Sequence, residues 1–156
     1  MRVVLMRHGR AGDAPVDEER ALTEAGREGV VKVARRLASL GVTGAAVHCS
    51  PYRRTTETAA IVSQETVSGA VLPDPRLASG ATVDLLIRVL ESHARSPLVV
   101  LVGHMPDLGV LAGWLAWGTR SRVIEMPVGA AVQFTVESLH PEAKAVMDWM
   151  ITPQDL

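Results

Sequence analysis

The stretch VVLMRHGRAG, Val3 to Gly12, passes from four apolar residues directly into Arg7, His8 and Gly9. Its first half has the length and composition of a strand buried on both faces, short, apolar and rich in branched side chains. Its second half sets a cation beside an imidazole at the carboxyl end of that strand. Alone, the triplet has an ordinary reading as a polar cap on a sheet edge. Whether it is more depends on what the other strands carry at the same end.

Two further runs share the character of the first, AAVHC at Ala45 to Cys49 and LVVLV at Leu98 to Val102, and both read as buried strands. Between them the period changes. In TEAGREGVVKVARRLASLG, Thr23 to Gly41, the residues Val30, Val33, Ala34, Leu37 and Leu40 recur at steps of three and four, one face of a helix. Thr23 is placed to cap it and Gly41 to end it, and Arg35 and Arg36 suit the negative end of its dipole as a solvated pair. Further helices are expected over about Tyr52 to Gln64, Thr82 to Ala94 and Asp107 to Trp117, the last packing Trp114 and Trp117 on one face.

Strand and helix therefore alternate, which predicts an α/β three-layer sandwich with a largely parallel central sheet flanked by helices. After Gly118 the pattern becomes two strands, VGAAVQFTVESL and AKAVMDWMI, with a turn near His140 and Pro141, and these are expected to form an antiparallel edge. With no repeat and no linker, residues 1–156 are expected to form a single domain.

Composition narrows the partners. With 16 basic and 17 acidic side chains the formal net charge is −1, so no global field draws the chain to nucleic acid or an anionic membrane, and any anion site must be local. No apolar stretch approaches the roughly 18 residues of a membrane span, and no leader pattern precedes the first strand. One cysteine, Cys49, ends an apolar run and is expected to pack in the core, which fits a reducing cytoplasm. His48 is expected in the sheet, and His93 and His140 at the surface.

Each of the three confident strands ends in a polar cluster followed by a helix: RHG at Arg7 to Gly9, SPYRRTTETA at Ser50 to Ala59, and GHMP at Gly103 to Pro106. Ligands of parallel α/β sheets bind outside the carboxyl ends of the strands, where helix amino termini offer free N–H groups. Arg7, His8, Arg54 and His104 are thus expected around one centre. Two guanidinium groups match the oxygens of a phosphoryl group and keep their charge at neutral pH. An imidazole between them can act as nucleophile and form a phosphohistidine, which replaces one difficult hydrolysis by two displacements, and the neighbouring cations keep it neutral. Gly9 is expected to let the backbone approach the substrate. The same arginines would repel a divalent cation, so no metal or other cofactor is expected.

These motifs, RHG with Ala11 and Gly12, then Asp17, Arg20, Leu22, Thr23 and Gly26 in the pattern D..R.LT..G, then SPYRRTTETA, then VGHMP, resemble the histidine phosphatase superfamily, also called phosphoglycerate mutase-like. The short loop after RHG, the lack of an inserted lid and the chain length resemble its SixA-type phosphohistidine phosphatases. The resemblance implies His8 as the phosphate-accepting nucleophile, Arg7 and Arg54 as phosphate ligands, and His104 as a second histidine on the phosphoryl oxygens. Arg53 is then the exposed member of its pair. Thr55 and Glu57 stand where the family usually has a small residue and often Gln, departures that touch packing.

Relatives acting on phosphate monoesters use a carboxylic acid to protonate the departing alcohol. Here the corresponding loop, DPRLASGATVD, has Leu77, Ala78 and Ser79 where an acid would be sought, and Met105 follows His104. Asp13, Asp17, Asp84 and Asp107 remain as donors, each also explained as a cap, first-turn charge or loop residue. Imidazole, with a pKa near 6.5, leaves phosphorus more easily than an alkoxide. The residues therefore favour a phosphohistidine substrate on a protein, such as a histidine phosphotransfer domain or a sugar-transport phosphocarrier. A small-molecule phosphomonoesterase and a non-catalytic phosphate-binding regulatory module are the alternatives.

Overall fold

The computed structural model describes residues 1–156. Six strands form one sheet: β1 (Arg2–Arg7), β2 (Val47–Cys49), β3 (Val71–Pro73), β4 (Leu98–Gly103), β5 (Ala131–Ser138) and β6 (Lys144–Ile151). Their order is β3-β2-β4-β1-β5-β6. The first four are mutually parallel, and β5 and β6 are antiparallel additions beside β1. The α/β three-layer architecture expected from the alternation is therefore present, including the antiparallel edge.

Helices α1 (Glu24–Ser39) and α2 (Arg53–Glu65) cover one face, and α3 (Val83–Ser92) and α4 (Asp107–Trp117) the other. Alternation of side chains along a strand explains why β1 and β4 are apolar throughout. Val3, Leu5, Val99 and Leu101 pack with α3 and α4, whereas Val4, Met6, Val100 and Val102 pack with α1 and α2.

Helix α1 begins where its cap predicts, with the Thr23 hydroxyl accepting the Gly26 N–H at 3.0 Å. Gly41 follows it at φ +79°, the left-handed geometry that favours glycine after a helix end. Helix α4 is buried over most of its circumference, because the Arg122–Ile124 segment lies against Gly109 and Gly113. This splits the expected tryptophan pair. Trp114 is buried, but Trp117 is 51% exposed with the Arg122 guanidinium 5.6 Å from its ring centre.

Strand β3 has no counterpart in the sequence reading. Three residues long, ending in Pro73 and with Leu72 exposed, it is an edge strand whose pattern is too short to register. His93, expected at the surface, is half-buried, with its ring centre 4.1 Å from that of His48 on β2.

One contact ties the loop after β1 to α1. A Cβ on Gly26 would lie 2.1 Å from the carbonyl oxygen of Arg10, and backbone there cannot yield without moving the RHG segment. Gly26→Ala is expected to destabilise the protein by about 1–3 kcal/mol in urea unfolding. Gly69→Ala, where nothing lies within 4 Å, is expected to stay within about 0.5 kcal/mol.

Candidate active site

The register of the central strands builds the site. Arg7 of β1 is paired with Gly103 of β4, and Cys49 of β2 with Val102, so the residues that follow each strand emerge side by side. The His8 and Ser50 N–H groups continue the ladder to Gly103 O and Val102 O at 3.1 and 3.0 Å. As a result the rings of His8 and His104 are 5.4 Å apart. Arg54, in the first turn of α2, is buried between them.

The guanidinium of Arg54 holds the constellation together. Its Nε–H donates to His8 Nε2 at 3.3 Å, and its Nη2 lies 3.5 Å from His104 Nδ1. Its outer edge donates to the Asp17 carbonyl at 2.8 Å and carboxylate at 3.1 Å. Thr58 links the two elements involved, accepting the Gly9 N–H at 3.1 Å while its hydroxyl donates to Arg54 O at 2.7 Å. Arg7 donates through Nη1 to Met126 O at 2.9 Å, and its Nε–H is buried with no partner.

The side chains of Arg7, His8, Arg54 and His104 line one cavity of about 280 Å³, with Arg10, Arg20 and Ser79 also on its wall. A 440 Å³ cleft near the β5–β6 turn is larger, but its side chains include both signs and no buried cation. Chemistry, not size, singles out the smaller one. Arg10 and Arg20 were not expected there. The i, i+3 spacing of Asp17 and Arg20 was the available signal, since their 3.2 Å ion pair places both beside Arg54.

Gly9 has a packing role that the sequence reading did not include. A Cβ there would meet Val30 Cγ2 at 2.6 Å, so the close approach of helix α1 by itself requires glycine. Arg53 is exposed, pairing with Glu57 at 3.0 Å, as the resemblance implied. Thr55 and Glu57 serve local packing. The Thr55 hydroxyl sits 2.7 Å from Ser50 O and 2.6 Å from Tyr52 O, and Glu57 accepts the Leu22 N–H at 2.8 Å.

Electrostatics set the protonation states. Burial, reinforced by Arg54 and Arg7, pushes the His8 pKa down to about 4, although the hydrogen bond to Gly9 O opposes this. Burial, with His8 and Arg54, takes His104 down to about 3. Both imidazoles are neutral at pH 7. His8 Nδ1 lies 2.7 Å from Gly9 O, which can only accept, so the ring proton is on Nδ1 and Nε2 presents its lone pair to the cavity.

The four carboxylates named as donors are elsewhere or engaged. Asp17 is held below the usual carboxylate range by hydrogen bonds from Arg20 and Arg54. Burial raises Asp107, but its carboxylate accepts the Gly80 and Ala81 N–H groups at 2.8 and 3.2 Å, fixing the loop that carries Ser79. Asp84 pairs with Arg120, and Asp13 is exposed. No Asp or Glu lines the cavity.

Fold and site thus define a phosphoglycerate mutase-like protein whose parallel strands deliver two arginines and two neutral imidazoles to one anion-sized cavity. The family profile described as histidine phosphatase superfamily (branch 1) matches residues 3–79, a span that includes RHG and SPYRRTTETA. An uncharacterised protein of Picosynechococcus sp. is 32% identical over 127 residues, 76% of this chain and 74% of that protein. The chain belongs to the histidine phosphatase superfamily. Its fold is that of the protein histidine phosphatase SixA complexed with tungstate, with TM-score 0.89 at 24% identity over 99% of each chain. A SixA from Nakamurella multipartitia gives TM-score 0.80 at 23% identity over 97% of this chain and 95% of that one. A mycobacterial glucosyl-3-phosphoglycerate phosphatase with inorganic phosphate gives 0.74 at 17% identity over 98% of both.

A histidine with a depressed native pKa takes up its proton more readily when unfolded. Its contribution to stability is therefore complete above about pH 6.5 and is lost as pH falls toward 4. NMR titration is expected to place the ring midpoints of His8 and His104 near pH 4 and 3. Urea unfolding should ease between pH 6.5 and 4.5 by up to about 1.4 kcal/mol per pH unit for each histidine, with a shallower slope in His104→Asn.

Proposed function

We propose that the chain is a phosphohistidine phosphatase acting on phosphorylated proteins in the cytoplasm through a transient phosphohistidine on His8. The observation that carries this reading is the set of side chains that shares a cavity with His8. Arg7, Arg54 and His104 line it with no acid among them, and the inner edge of Arg54 makes only long contacts to the two imidazoles. A tetrahedral dianion between them would satisfy both arginines, and a fold relative has been obtained with tungstate, an oxyanion of that shape.

In the first step His8 Nε2 attacks phosphorus as the phosphorus–nitrogen bond to the substrate imidazole breaks. Arg7, Arg54 and His104 hold the three phosphoryl oxygens. The departing imidazole carries its own proton, since its pKa lies near 6.5. In the second step water attacks phosphorus, the bond to His8 breaks with its electron pair returning to Nε2, and both protons of the water leave with inorganic phosphate as the dihydrogen phosphate ion. Neither displacement calls for a carboxylic acid, which accords with the acid-free lining. The lining residues Arg10, Ala11 and Ser79 reach solvent at the cavity wall, so a side chain borne on another protein can enter. Histidine phosphotransfer domains and phosphocarriers are the substrate classes that fit.

A small-molecule phosphomonoesterase is the second reading, favoured by the fold shared with the glucosyl-3-phosphoglycerate phosphatase and by the raised pKa of Asp107. On that reading Asp107, which does not line the cavity, would have to turn its second oxygen, Oδ1, toward the alkoxide while Oδ2 stays on the loop N–H groups. The regulatory-module alternative predicts no turnover at all.

Incubation with a phosphohistidine protein is expected to leave acid-labile, base-stable phosphate on the parent and none on His8→Ala. Arg7→Ala and Arg54→Ala should each lower kcat/KM by about 10²–10³. Turnover of phosphohistidine should exceed that of a sugar phosphate, and Asp107→Asn should leave it within about threefold; preference for the sugar, with loss in Asp107→Asn, reverses the assignment.

A further inference from the structure

Ser50 is fully buried, and its hydroxyl has two polar neighbours: the Tyr52 N–H at 3.3 Å and His104 Nε2 at 2.8 Å. The first can only donate. The hydroxyl proton of Ser50 therefore has one acceptor within reach, the Nε2 lone pair of His104. The opposite arrangement, Nε2–H donating to Ser50 Oγ, would strand a buried hydroxyl proton. It would also leave a bare Nδ1 lone pair facing the Arg54 guanidinium. The observed separation of 3.5 Å lies at the outer limit of a hydrogen bond, so that lone pair would be left without a strong partner.

We propose that Ser50 is a positioning residue: its hydroxyl donates to His104 Nε2 and thereby fixes the Nδ1–H tautomer, which aims a neutral N–H donor into the anion cavity beside Arg54. This inference rests on the phosphatase reading for its purpose, though not for its geometry. It gives the two histidines opposite roles from the same tautomer. His8 carries its proton on Nδ1, toward Gly9 O, and turns a lone pair to phosphorus. His104 also carries its proton on Nδ1, but that edge faces the cavity, so a phosphoryl oxygen seated between Nδ1–H and Arg54 Nη2 would accept from both. The serine that opens SPYRRTTETA then acts through His104 without touching substrate.

The test is the ring nitrogen spectrum of His104 in uniformly ¹⁵N-labelled protein at pH 7, read in the parent, Ser50→Ala and Ser50→Thr. The parent is expected to show protonated Nδ1 and unprotonated Nε2. Ser50→Ala should mix the tautomers and weaken binding of inorganic phosphate at pH 8 about tenfold, as for loss of one hydrogen bond to a charged group. Ser50→Thr, which keeps the hydroxyl, should restore both. Protonated Nε2 in the parent overturns the proposal, as does an unchanged Nδ1–H tautomer in Ser50→Ala even where its Tm falls. The parent spectrum decides even if the variants do not fold. Failure of the phosphatase reading shows separately, as an absent phosphoenzyme with the tautomer intact.

Discussion

The guanidinium of Arg54 is the constraint on which the rest of the site depends. A buried cation is costly unless it is paired, and the carboxylate that meets it, Asp17, belongs to an exposed loop residue. Half of the Arg54 fork is satisfied by Asp17, while the other half faces two imidazole rings across 3.3 and 3.5 Å. Burial depresses the pKa values of His8 and His104, and the fixed charge of Arg54 beside them adds to the effect. A chain of net charge −1 thus acquires a strongly positive centre without any positive surface field.

Placing that cation requires agreement among three strands and one helix. β1 and β4 end in register, β2 ends one residue from them, and α2 starts only three residues beyond Ser50. Thr58 then ties the first turns of α2 to the Gly9 N–H, so the separation of Arg54 from His8 is set by one side-chain hydroxyl bonded to backbone on both sides. Neutral imidazoles in this frame leave their lone pairs and N–H groups available for assignment. The partners behind each ring, Gly9 O for His8 and Ser50 Oγ for His104, determine which nitrogen faces the cavity.

Much of this was legible in the sequence because the residues that approach one another are announced by strand ends. Arg7, His8, Arg54 and His104 each follow a run of buried apolar residues, and parallel sheets align such ends. Side chains whose partners lie far off in the chain left no such mark. Asp17 reads as a loop acid until Arg54 is seen against it, and Ser50 reads as a motif letter until His104 is found 2.8 Å away. Gly9 illustrates a different limit: the sequence shows that a small residue is wanted, whereas the direction of the missing Cβ, toward Val30, exists only in three dimensions. Strand β3 escaped because three residues cannot display a period.

The arrangement of the acids argues for a leaving group that does not need one. A general acid must hold its proton near neutral pH and point at the departing atom. Asp17 lies beside Arg54 but is held ionised by Arg20 and Arg54, and protonating it would weaken the pairing that stabilises buried Arg54. Burial raises the pKa of Asp107, yet it lies outside the cavity lining, with Oδ2 committed to the N–H groups that shape the Ser79 loop. Neither carboxylate lines the cavity in which the bond would break. On the proposed function the departing group needs no such acid, because an imidazole ring that is already protonated leaves phosphorus as a weak base, which an alkoxide does not.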